Sequence, residues 1–79
     1  MSAPAADRYF AVADAFRALA RAEQKSQQLA ERRAALPPGS SRARVTSANA
    51  RWARAAEHRD RCMTAASDAL RAAYPEVLR

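Results

Sequence analysis

His58 and Cys62 stand four residues apart, the spacing that puts two side chains on one face of a helix. Arg59 and Arg61 beside them would favour a thiolate, so the pair has the ingredients of a nucleophile and its base. The rest of such a site is missing. No third group is in place to orient the histidine, and a chain with one glycine cannot form a Gly-rich phosphate loop. Two candidate ligands on one helix also fall short of the four that a structural zinc site normally has. The expectation is an exposed histidine and a small buried cysteine, with no catalytic residue, no metal and no cofactor. The chain reads as a non-enzyme.

The arginines are the second group with chemistry to offer. Residues 32 to 56 carry Arg32, Arg33, Arg42, Arg44, Arg51 and Arg54 and no acid, which accounts for the whole net charge of +6. Outside this window the basic and acidic residues balance. A concentrated basic end attracts an acidic or phosphate-bearing partner, so these six arginines are the expected contact set. Arg42 and Arg44 sit where a helix should begin, with Arg44 in the place a capping box reserves for Glu or Gln. Positive charge there costs about 0.3–1 kcal/mol each if exposed, and a bound anion would reverse that sign. Arg32 and Arg33 fall at a helix C-terminus, where they suit the dipole. Trp52 lies between Arg51 and Arg54 and could stack a base beside phosphate contacts, but its place in the apolar stripe favours a core role.

These residues need something to hold them. Seventy-nine residues make one domain at most, near the size where a single core is marginal. The apolar fraction of 49% overstates that core, because 23 residues are alanine, which favours helix but buries little area. No run approaches the roughly 20 apolar residues of a membrane span, and no signal-peptide h-region is visible. A single cysteine allows no internal disulfide. A cytoplasmic protein with no membrane association is expected on these grounds.

Breakers partition the chain cleanly. Pro37-Pro38-Gly39-Ser40-Ser41 is the one internal turn signal, with uninterrupted segments of helix-forming composition on either side. The expected architecture is all-α: an antiparallel, coiled-coil-like, Ala-rich hairpin, with helix 1 over about 5–36, a turn at 37–41, helix 2 over about 42–74 and a tail at 75–79. Ser41 (or Ser40) is the expected N-cap.

The second segment carries a stripe through Val45, Asn49, Trp52, Ala56, Arg59, Met63, Ala66, Leu70 and Ala73, and the first one through Tyr9, Val12, Phe16, Leu19, Ala22 or Glu23, Ser26, Leu29, Arg33 and Leu36. Folding at the turn predicts opposed residues whose numbers total about 81 or 82. That opposes Leu36 to Val45, Leu29 to Trp52, Leu19 to Met63, Phe16 to Ala66 and Val12 to Leu70. It also opposes Glu23 to Arg59, a buried pair that would fix the register. Tyr9, Phe10, Phe16, Leu70 and Tyr74 crowd the end away from the turn with more apolar area than one facing helix covers. They are expected to associate with a second copy or another protein.

The reading that follows is a small interaction protein that docks on an acidic protein surface or a nucleoprotein complex through its turn end, as a regulator or inhibitor of nucleic-acid-handling machinery. In size and shape alone the chain is similar to phage-encoded helical inhibitors of bacterial defence nucleases. Direct nucleic-acid binding by a dimer is the alternative, and a structural subunit of a symmetric helical assembly the second alternative.

Overall fold

The structure is a computed structural model in which residues 5–75 are described. Two helices, α1 (Ala5–Ala34) and α2 (Arg42–Ala73), pack side by side as an antiparallel hairpin measuring 60 × 20 × 19 Å. There is no strand among the described residues. Of the expected tail, residues 76–79 lie outside the described residues.

α1 stops two residues short of the expected Leu36, and Pro37 explains why. A proline disfavours helical backbone in the residue before it and has no N–H to donate to Arg33. The last regular bond runs from Ala35 N to Glu31 O at 2.9 Å, and Leu36 N falls back on Arg33 O at 3.4 Å. Pro37 to Ser40 then form a tight turn. Ser40 N donates to Pro37 O at 3.2 Å, and Gly39 occupies the third position with φ +82°, the type II geometry that favours glycine. Ser40 Oγ donates to the same carbonyl at 2.6 Å. Ser41 is extended (φ −62°, ψ 153°) and its hydroxyl accepts from Arg44 N at 3.2 Å, so it caps α2. α2 ends at Ala73, with Tyr74 outside the helix as its cap, donating N–H to Leu70 O at 2.8 Å.

Small residues form the seam. Among the described residues Ala22, Ser26 and Ala66 are the buried side chains, at 4, 3 and 2% exposure, and no large side chain there is fully buried. Val12, Leu19, Leu29, Cys62 and Leu70 flank them half-buried. Four large apolar members of the expected stripe turn outward: Tyr9, Phe16, Val45 and Met63 are 64, 42, 37 and 47% exposed. Alanine permits close approach of the two backbones, and side chains of that bulk cannot enter the gap without prising the helices apart.

The two specific contacts across the seam, Arg59 with Ser26 and Arg33 with Trp52, join residues whose numbers total 85 rather than 81 or 82. Leu36 shares a depression with Ala48, and Leu29 shares one with Ala55. Trp52 receives the Arg33 guanidinium over its ring, 4.3 Å from the centroid. The expected Glu23–Arg59 pair does not form. Arg59 Nη1 instead donates to Ser26 Oγ at 3.5 Å and Nη2 reaches Asp60 at 3.4 Å, while Glu23 stays exposed. The ion pairs among the described residues are local ones within a helix, including Arg17–Asp14 at 2.9 Å, and they contribute little at such exposure.

Candidate anion-binding site at the turn end

At about 100° per residue, a helix distributes its side chains over distinct flanks, and antiparallel packing leaves the hairpin with two broad sides. Glu23, Gln27, Ala30, Trp52, Arg59 and Met63 border one depression, on the first side. Arg21, Lys25, His58 and Cys62 border another, on the second. Large apolar side chains follow the first side, among them Phe16, Met63, Leu70 and Tyr74. Around the second depression the charged side chains are Arg21 and Lys25.

Near the turn this second side becomes concave. Leu29, Leu36, Pro37 and Ala48 form the apolar floor of an open depression of about 560 Å³, and Arg32, Arg33, Arg44 and Arg51 stand around it. A second, adjoining depression of about 370 Å³ is bordered by Lys25, Arg32, Arg51 and Arg54. No acid lines either one. Arg32 and Arg51 border both, so the cations form one continuous band.

Each helix supplies this band through its own periodicity. Lys25 and Arg32 are seven residues apart on α1, as are Arg44 and Arg51 on α2, with Arg54 three further on. Arg32 lies in the last turn of α1 and Arg44 in the first turn of α2, where the chain reverses. The N-cap interaction is already satisfied by Ser41, so what a ligand would meet is forked guanidinium groups above an apolar floor. That is a surface suited to planar, bidentate oxyanions, whether phosphate or carboxylate.

The six arginines expected to act together are therefore divided. Arg32, Arg44, Arg51 and Arg54 share the cationic side. Arg33 is half-buried and directs its guanidinium at Trp52, and Arg42 borders neither depression. Lys25 belongs with the group although the acid-free window excluded it, and its seven-residue spacing to Arg32 was the signal that could have found it.

At the far end, Tyr9 and Tyr74 approach one another around a shallow depression. Phe16 lies seven residues from Tyr9 and shares its flank, whereas Phe10 is rotated by about 100° to another side. Leu70 is half-buried in the seam edge. Cys62 Sγ lies 3.7 Å from His58 Nε2. The two have no further ligand beside them: among the described residues no cluster of three or more His, Cys, Asp or Glu comes together. Among these residues, too, no helix is long and apolar enough to cross a membrane. Compared with known proteins, the chain matches no family model, no curated protein and no solved structure.

Proposed function

We propose that this chain is a non-enzymatic interaction protein that docks through the cationic side of its turn end on an acidic macromolecular surface, as a regulator or inhibitor of a nucleic-acid-handling complex. One observation carries the reading: arginines from two different helices converge on a single concavity with no acid to neutralise them. Side chains scattered for solubility would not be gathered from both helices over an apolar floor. The apolar floor further suits a protein partner, because it offers a place for a side chain between the charged contacts.

The test compares Arg44→Glu/Arg51→Glu with Arg17→Glu, which alters an arginine already paired with Asp14 on the same helix. The probes are poly-aspartate and a short DNA duplex, each at about 50 and 200 mM salt. Binding of poly-aspartate that the first variant loses and the control keeps supports the reading. Tight duplex binding that falls roughly 100-fold over this salt range, as expected for about four phosphate contacts, favours direct nucleic-acid binding instead. Equal binding by wild type and the Arg44/Arg51 variant removes the turn end from the function.

A further inference from the structure

We infer that the apolar side of the open half is covered by a second copy of this chain, and that the two copies join head to head so that their cationic turn ends point in opposite directions. Exposed aromatic and sulfur-containing side chains concentrate there. Tyr9, Phe16, Met63 and Tyr74 are 64, 42, 47 and 41% exposed on one side of the hairpin. Leu70 lies half-buried between them. Further toward the turn the same side is interrupted by Glu23, Gln27, Arg59 and Asp60, which limits the patch to the open half.

A second copy is the occupant that the chain's own deficiencies specify. Among the described residues the isolated hairpin buries two alanines and a serine, far less than a domain of this size needs for cooperative stability. The open half offers roughly 600 Å² in projection from the 60 × 20 Å outline, and more once the relief of its protruding rings is followed. That approaches the roughly 800 Å² per partner of a standard interface. The patch also carries the relief a two-fold interface needs, with bulk at Phe16 and Tyr9 and hollows at Ala13 and Ala20 on the same flank of α1.

Charge sets the orientation. The basic and acidic residues outside positions 32 to 56 cancel, so two open halves meet without repulsion. Laying the copies turn beside turn would instead bring two acid-free arginine clusters together. With the two-fold axis near Phe16 and Leu70, the turns of the dimer stand roughly 70 Å apart, many Debye lengths at physiological salt. A rod with a cationic site at each end would bridge two acidic surfaces. The dimer itself does not depend on what those sites bind.

Light scattering coupled to size exclusion should give twice the 8.6 kDa chain mass. Phe16→Glu/Met63→Glu should weaken the dimer by 100-fold or more, whereas Phe10→Glu, on another side, should leave it within about threefold of wild type. Spin labels on Ser40→Cys in a Cys62→Ala background then report the turn-to-turn distance in the intact dimer, with no dependence on whether the charged variant folds. A distance near 70 Å is the expected result. A monomer that melts cooperatively overturns the proposal, as does a dimer whose turns lie within about 30 Å of each other.

Discussion

Two contacts stand where the sequence suggested a single ion pair. Arg59 reaches across the seam to the hydroxyl of buried Ser26, and Arg33 lies over the ring of Trp52. Glu23 and Arg59 border the same depression without pairing, and the Arg59 guanidinium is taken up by Ser26 and Asp60 instead. Glu23→Ala is therefore expected to change stability by less than about 0.5 kcal/mol, as for surface changes generally. Arg33→Ala should cost more, about 0.5–1 kcal/mol from the lost cation–π contact together with the stem that covers the ring. Thermal melts of the two variants at equal concentration check the order. A larger shift for Glu23→Ala would restore the pair that the structure does not form.

At the scale of the helices, the sequence was legible where a backbone rule operated. Ser41 is the cap and α2 begins at Arg42, as its hydroxyl and the preceding turn required. The end of α1 was legible too, had Leu36 been read as a residue that precedes proline. Arg44 occupies the third helical position with its N–H bonded to Ser41. Replacing it with Glu supplies the acid of a capping box, and helicity should rise by the equivalent of about 0.3–1 kcal/mol. Circular dichroism of Arg44→Glu measures this directly. Loss of acidic-probe binding alongside raised helicity would separate a contact role from a folding role, because one change would then move the two quantities in opposite directions. Ser41→Ala should lower stability by about 0.5–2 kcal/mol.

For the whole molecule, the hairpin was readable from two breaker-free segments and one Pro-Gly turn, but its register was not. Heptad reading favours large residues at the interface, and it placed Phe16, Val45 and Met63 there. In a chain with 23 alanines the helices instead close on their smallest surfaces, and Tyr9, Phe16, Val45 and Met63 are left to the outside. The same choice hid the division of the arginines, since which of them share a side depends on which residues face inward. Ala66→Leu tests the close approach. The added bulk at a position 2% exposed should destabilise by about 1–3 kcal/mol, where an interface of larger side chains would have accepted it. Chemical denaturation of the two proteins decides it.

A seam of alanine methyls has one more consequence, which is mechanical. Each turn of such a helix presents almost the same contour as the next, so the two rods resist separation far better than they resist sliding. Among the described residues the Arg59–Ser26 hydrogen bond and the Arg33–Trp52 stack, with the length of the linking turn, index their relative position. With both latches removed, as in Ser26→Ala/Trp52→Ala, the rods should occupy two settings offset by about one turn, visible as doubled backbone resonances. A load applied at the turn end would then be transmitted along the hairpin as a discrete step.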